Sequence, residues 1–158
     1  MTDERDILIR MARADDLDAV VALLVDDPLG AERETPGAPA ARCYTDAFAA
    51  MAADPNQDLL IVEHEGVVAG YLELSFVQGL SRQGMLRAQI ESVRIAPQLR
   101  GKGVGRQMFE AAFTRAEARG AAMIQLTTDK TRPDAIRFYE GLGFTASHEG
   151  MKKALVEY

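Results

Sequence analysis

The sequence predicts a mixed α/β fold in which a mostly antiparallel central sheet is flanked by helices. Residues 59–77 carry a continuous apolar run, a turn and then an alternating run, which together predict a hairpin. Residues 104–119 place apolar side chains at helical spacing between two further strand-like runs, at residues 86–95 and 122–127. A hairpin followed by a strand–helix–strand unit is typical of one mixed α/β domain.

The first half of the chain predicts a strand and two helices ahead of the hairpin. Residues 7–9 are apolar and suit a first strand, and residues 17–25 have the three-and-four spacing of an amphipathic helix. Residues 26–39 are rich in proline, glycine and acidic residues and predict a loop. A second helix is predicted over residues 40–53, because an Asp-Pro pair follows and the residue before a proline disfavours helical backbone.

The second half predicts three more strands and two helices. The strand over residues 86–95 stops before a proline, which cannot donate to a central ladder. The helix over residues 104–119 stops at a glycine, and a proline opens a short helix over residues 133–142. A final strand region is predicted from Phe144 onward. The predicted order is therefore β-α-α-β-β-β-α-β-α-β.

Length and composition restrict the class of protein. The chain has 158 residues, so a single domain over residues 1–158 is expected. Its net charge of −6 repels phosphate backbones, and a nucleic acid is not expected as a partner. Cys43 is the only cysteine and there are two histidines, so no metal site is expected. We find no signal peptide and no run of membrane-spanning length, and therefore expect a cytoplasmic protein without a membrane partner.

A glycine-rich turn, RGKGVG, begins at Arg100 between a predicted strand and a predicted helix. Its glycines let the backbone approach a ligand, and the first N–H groups of a helix are unpaired. The helix dipole and the cations Arg100, Lys102 and Arg106 favour a phosphate at this position. The turn is therefore a candidate diphosphate site, and a plain connecting turn is the alternative.

Two common phosphate motifs do not match this turn. A P-loop requires a Gly-Lys pair followed by Ser or Thr, which the turn lacks. The dinucleotide fingerprint requires a third glycine at the position where Arg106 stands. Residue identity therefore excludes both motifs.

The same segment resembles the pyrophosphate motif of the GNAT superfamily of N-acetyltransferases, at Arg100, Gly103 and Gly105. The run AIRFYEGLGF is similar to the family's A-x-x-x-Y-x-x-x-G-F segment. The combination of QIESV, TDKTRPDAIRFY and SHEGMK looks like the branch that acetylates small amines, aminoalkylphosphonates included. This resemblance implies the GNAT fold, acetyl-CoA as co-substrate, a homodimer and no metal.

The resemblance also implies where acetyl-CoA would be held. Backbone groups of Val93 and Ile95 would bind the pantetheine arm, and the N–H of Val93 would polarise the thioester carbonyl. Backbone N–H groups of the turn would hold the pyrophosphate, namely those of Gly101, Lys102, Gly103, Val104, Gly105 and Arg106. Many members have Asn at the position of Arg132, which is expected either to pair with a CoA phosphate or to face the acceptor.

Glu91 is the candidate general base. An alkyl ammonium with a pKa of about 10.4 must lose a proton before its nitrogen can attack a thioester. Strand alternation places Glu91 on one face with Val93 and Ile95, where apolar surroundings would raise its pKa. The family places its base on this same strand. A structural Glu91 paired with Arg87 or Arg94 is the alternative.

Tyr139 is the candidate general acid. A phenol with a pKa of about 10 is protonated at neutral pH and can donate to a leaving thiolate. In the family, the matching tyrosine lies beside the CoA sulfur. The alternative is an aromatic side chain that packs its helix onto the sheet.

Two loops predict different acceptors. The acidic residues of segment 26–34 would attract a cationic amine, whereas Ser81, Arg82 and Arg87 would contact an anionic group. Both alternatives stay open. The predicted function is direct, ternary-complex transfer of an acetyl group from acetyl-CoA to the primary amine of a small molecule. The alternatives are acetylation of a protein N-terminus or lysine, and a non-catalytic acyl-CoA-binding module.

Overall fold

A computed structural model describes residues 6–157 of the chain. Five strands form one sheet in chain order, namely β1 (Ile7–Met11), β2 (Gln57–His64), β3 (Val67–Gln78), β4 (Leu86–Ile95) and β5 (Met123–Leu126). The pairs β1–β2, β2–β3 and β3–β4 are antiparallel, and the pair β4–β5 is parallel. The predicted mixed α/β class and the mostly antiparallel sheet are confirmed.

Helices cover the two faces of this sheet. On one face, α1 (Leu17–Val25) and α3 (Arg42–Ala53) pack over Leu59, Ile61 and Tyr71. On the other face, α5 (Val104–Ala118) and α6 (Pro133–Gly141) cover the larger apolar core. Among residues 6–157, no helix combines the length and the apolar character that crossing a bilayer requires.

The core between α5 and α6 is aromatic. Phe109 of α5 is fully buried, and its ring lies 5.7 Å from the rings of both Phe138 and Tyr139 and 6.1 Å from that of Phe144. Three of these contacts are edge-on or tilted, the arrangements that the aromatic quadrupole favours. The cluster fixes α6, and therefore Tyr139, against the helix that follows the glycine-rich turn.

The segment predicted as a loop between α1 and α3 contains a short helix, α2 (Pro28–Arg33). The Asp27 carboxylate accepts a hydrogen bond of 3.1 Å from the Gly30 N–H, and Pro28 occupies the first helical turn. An aspartate at the N-cap followed by proline is a helix-start signal, because both residues suit positions where backbone N–H groups are unpaired. The loop prediction was therefore wrong over these six residues.

Two other local features depart from the sequence prediction. Within the loop before β4, α4 (Ser81–Gly84) is one helical turn in which Arg82 and Gln83 have left-handed backbone. The final strand predicted from Phe144 onward was wrong, because residues 145–157 contain no strand. This segment is polar, lacks an alternating apolar run and exposes Met151 and Leu155. His148 lies within it and is exposed.

Candidate active site

Strands β4 and β5 pair along only part of β4. Residues 87–90 of β4 are partners of Met123–Leu126, and the pairing ends there. Residues 91–95 continue past the end of β5 and have no partner from it in the described chain. An opening therefore begins beside the half-buried Val93 and Ile95, the residues expected to hold the pantetheine arm.

A β-bulge interrupts β4 at this opening. Ser92 has a φ of 55°, and the register with β3 shifts between the pairs Tyr71–Arg94 and Glu73–Glu91. A bulge adds one residue to a strand and reverses the alternation of the side chains beyond it. The predicted common face of Glu91, Val93 and Ile95 was therefore wrong.

The bulge sends these side chains to opposite sides of the sheet. Val93 and Ile95 pack against the core beneath α5, whereas Glu91 is exposed. The apolar surroundings predicted for Glu91 do not exist, although it remains at the opening. Its catalytic role stays a prediction, now one for a solvent-facing carboxylate.

The glycine-rich turn lies beyond the end of β4. Gly101 and Gly103 have φ values of 73° and 80°, the left-handed region, and a Cβ on either would point into open space. Gly105 differs, because a Cβ there would lie 3.2 Å from Cζ of Phe138. The first two glycines shape an open turn before α5, and the third permits close packing of α6.

The cations of the turn have different positions. The Nε of Arg100 donates to the Ile95 carbonyl over 3.0 Å, which ties the turn to the end of β4. The Arg106 guanidinium donates to the Gly141 carbonyl over 3.2 Å and joins α5 to α6. Lys102 is exposed beside the open backbone. An open turn at a helix start beside an exposed lysine suits a diphosphate. The residues present therefore fit the expected binding of acetyl-CoA.

Tyr139 projects from α6 into the aromatic cluster and is partly buried. Burial raises the pKa of its hydroxyl, and the charges of Arg132 and Arg94 oppose that rise. The phenol therefore stays protonated at neutral pH. Tyr139 can therefore pack in the aromatic cluster and also donate a proton, so the two alternatives for this residue do not exclude each other.

Arg132, which stands where many family members have asparagine, pairs with the Asp27 carboxylate at the start of α2. The other oxygen of Asp27 lies 3.7 Å from the Arg94 guanidinium. Burial opposes ionisation of Asp27, but the Gly30 N–H and the two guanidiniums hold its pKa below the ordinary value. This ion cluster ties the loop after α1 to β4 and to the start of α6.

Several carboxylates of the acidic segment after α1 contact other groups. Asp27 is held by two arginines, and Asp26 lies 3.8 Å from Arg100. The Glu34 carboxylate accepts a hydrogen bond of 2.8 Å from Tyr44, which leaves its charge in place, and Glu32 is exposed. The attraction of a cationic acceptor by this segment stays a prediction. By contrast, the buried Nε of Arg94 has no hydrogen-bond partner in the described part of the chain.

Glu73, in the middle of β3, was not predicted as a functional residue. Its Oε1 accepts a hydrogen bond of 2.8 Å from the hydroxyl of Tyr71, and its Cα partner on β4 is Glu91. Burial raises the pKa of its carboxyl, and the charge of Glu91 adds to the rise. Glu73 stands at a polar position of an alternating strand, which predicts a side chain that faces solvent. A charged residue in an inner strand of a sheet covered by helices was nevertheless a signal that could have identified it.

Comparisons with known proteins show the family of the chain. The profile described as the Acetyltransferase (GNAT) family matches residues 18–144 of the chain. The chain belongs to this GNAT family. This GNAT protein is 31% identical over 147 residues to the aminoalkylphosphonate N-acetyltransferase of Salmonella typhimurium, over 93% of this chain and 90% of that relative. The predicted resemblance and the predicted enzyme class, an acetyltransferase, are confirmed.

Solved structures place the GNAT chain in the same fold. A transcriptional regulator from Bacillus halodurans C-125 superposes with a TM-score of 0.92 at 44% identity, over 94% of this chain and 99% of that one. Glucosamine-6-phosphate N-acetyltransferase from Arabidopsis thaliana superposes with a TM-score of 0.77 at 18% identity, over 95% and 99%. The second likeness shows the fold alone. GNAT enzymes use acetyl-CoA as co-substrate.

Proposed function

We propose that this acetyltransferase moves the acetyl group of acetyl-CoA to the primary amine of a small molecule by direct attack in a ternary complex. The observation that carries the proposal is the opening beyond the last β4–β5 pair, where residues 91–95 combine a strand edge that β5 does not pair with and a carboxylate. Both substrates can meet at such an opening.

The chain's own residues would hold the co-substrate in two places. Backbone groups of Val93 and Ile95 would bind the pantetheine arm, and the N–H groups of residues 101–106 would bind the pyrophosphate. The open backbone at Gly101 and Gly103 supports the second contact. When bound, acetyl-CoA supplies a thioester whose carbonyl carbon accepts the amine.

Two side chains would manage the protons of this reaction. Tyr139 would donate its phenolic proton to the leaving sulfur, since its raised pKa keeps the hydroxyl protonated at neutral pH until the thiolate leaves. Glu91 would act as the base that takes the proton of the acceptor ammonium on its way to water, because its carboxylate faces solvent at the opening. The candidate acid on α6 and the candidate base on β4 would together carry out both proton transfers of amine acetylation.

Glu91→Gln is expected to lower kcat/KM about tenfold near pH 7 and by much less near pH 9, where more of the acceptor is already the free amine. The pH profile of initial rates, followed by thiol release, measures this. Glu110→Gln on α5 is the matched control, because it removes one exposed carboxylate elsewhere and should leave the profile unchanged. An identical profile for Glu91→Gln and wild type would contradict the role.

We propose small amines that also carry an anionic group as the first acceptors to test. The Salmonella typhimurium relative is an aminoalkylphosphonate N-acetyltransferase. The Arg94 side chain is 14% exposed and lies near Arg132 and Tyr139. Its Nε has no hydrogen-bond partner among residues 6–157. Guanidinium groups suit carboxylate and phosphonate oxygens. A faster reaction with an aminoalkylphosphonate than with the matching alkylamine would support this class.

A further inference from the structure

Glu73 and Glu91 form a cross-strand pair of carboxylates in two different environments. They are Cα partners on β3 and β4, directly beside the Ser92 bulge. Glu91 is exposed, whereas Glu73 lies partly buried under the hydroxyl of Tyr71. The two carboxylates therefore stand side by side on β3 and β4, one half-buried and one facing water, next to the strand that borders the opening.

We propose that Glu73 is the immediate proton acceptor for the acceptor's ammonium group, and that Glu91 passes this proton to solvent. The inference rests on the proposed amine acetylation and adds a catalytic residue to it. It explains why an exposed Glu91 lies beside Glu73, because a proton taken up by a half-buried carboxylate needs an exit.

The groups that face Glu73 suit it to this role. Tyr71 donates a hydrogen bond of 2.8 Å to its carboxylate, the hydroxyl of Ser92 also favours the charged form, and a carboxylate has acceptor capacity for a further donor. Arg94 attracts its negative charge and Glu91 repels it, while Arg94 itself faces Asp27 and Arg132 across the ion cluster.

Desolvation of the Glu73 carboxylate outweighs the two donors and Arg94, so the pKa of Glu73 is raised. A base with a raised pKa takes a proton from an ammonium more readily than an exposed glutamate does. Tyr71 cannot replace it, because burial and the Glu73 charge raise the pKa of that phenol and keep it protonated.

The proton count closes over one turnover. The ammonium gives one proton to Glu73, which passes it through Glu91 to water and returns to the carboxylate. The free amine then forms the C–N bond while the C–S bond breaks, and Tyr139 gives its proton to the sulfur. The second proton on nitrogen restores the phenol. The products are one amide, one thiol and one released proton.

Glu73→Gln tests the inference through the pH dependence of kcat/KM. We expect a loss of about 10²-fold at neutral pH and disappearance of the acidic limb that Glu73 protonation creates. Tyr71→Phe removes a donor that favours the charged form, so the limb should move to higher pH. Glu73→Asp keeps a carboxylate and should keep the limb. Glu91→Gln removes a charge that raises the pKa of Glu73, so the limb should remain but move to lower pH. A residue with a structural role alone would not shift the limb.

Thermal unfolding supplies a second readout without substrate. The raised pKa means that folding favours neutral Glu73, so its contribution to stability is present below the unfolded pKa and is lost as pH rises through the folded pKa. Glu73→Gln is neutral at every pH and can still accept from Tyr71. It should raise Tm by about 2 °C near pH 8 and leave Tm unchanged near pH 4.

The outcomes separate this inference from the proposed function. Wild-type acetylation of amines with an unchanged kcat/KM profile for Glu73→Gln would overturn the role of Glu73 and leave the function standing. A lower Tm for Glu73→Gln near pH 8 would also overturn it, because the carboxylate would then be stabilising. Absence of amine acetylation by the wild type would overturn both proposals.

Discussion

Tyr139→Phe is expected to lower kcat for amine acetylation by about 10²- to 10³-fold and to leave the affinity for acetyl-CoA almost unchanged. The substitution removes only the hydroxyl that would protonate the leaving sulfur. The ring stays in its cluster with Phe109, Phe138 and Phe144, so the fold of α6 should be preserved. Steady-state kinetics and a calorimetric titration with acetyl-CoA measure the two quantities.

Tyr139→Leu is the companion variant, because it removes both the hydroxyl and the aromatic packing. It should match Tyr139→Phe in kcat but unfold at a lower temperature, since edge-on aromatic contacts are lost. Wild-type kcat in Tyr139→Phe would contradict the acid role and leave Tyr139 as a packing residue. Such a result would not alter the fold assignment.

Gly103→Asp is expected to raise the KM for acetyl-CoA by about 10²-fold, since like charges a few ångström apart repel by several kcal/mol outside bulk water. Gly103 immediately precedes α5 with a left-handed backbone, and the space where a Cβ would stand is open. Aspartate enters this backbone region more readily than most residues. The variant should therefore fold, and its carboxylate would stand where the pyrophosphate is proposed to bind.

Gly103→Asn is the matched control for this prediction. Asparagine has the shape of aspartate and a similar tolerance of left-handed backbone, so the two variants differ mainly in charge. Asn should raise KM far less than Asp, with similar thermal unfolding for both. Equal KM values for the two variants would contradict a phosphate at this turn, because the effect would then come from backbone strain.

The elements that carry the family motifs were predictable because each is encoded locally. The helical spacing of α5, the proline that opens α6 and the glycines of the turn depend on neighbours a few residues away. The alternation of β3 likewise shows one face of a strand. These signals were sufficient for the order of β2, β3, β4, α5, β5 and α6 and for the position of Tyr139, but not for the single turn α4 between β3 and β4.

The details of the opening were not predictable from single strands. A β-bulge depends on the register between two strands. The bulge in β4 at Ser92 could therefore not be detected from the alternation of β4 alone. It moved Glu91 to the opposite face from Val93. The importance of Glu73 depends on burial by distant elements, and the ion cluster of Asp27 joins residues far apart in sequence.

The most direct test of the account is acetylation of small amines by the purified protein. Acetyl-CoA would be supplied with an aminoalkylphosphonate, the matching alkylamine or a lysine-containing peptide, with product detection by mass spectrometry and thiol release in parallel. We predict N-acetylated small amine, with one thiol released per product and a higher kcat/KM than for the peptide. Acetylation of the peptide alone, or no product despite calorimetric binding of acetyl-CoA, would contradict the proposed function.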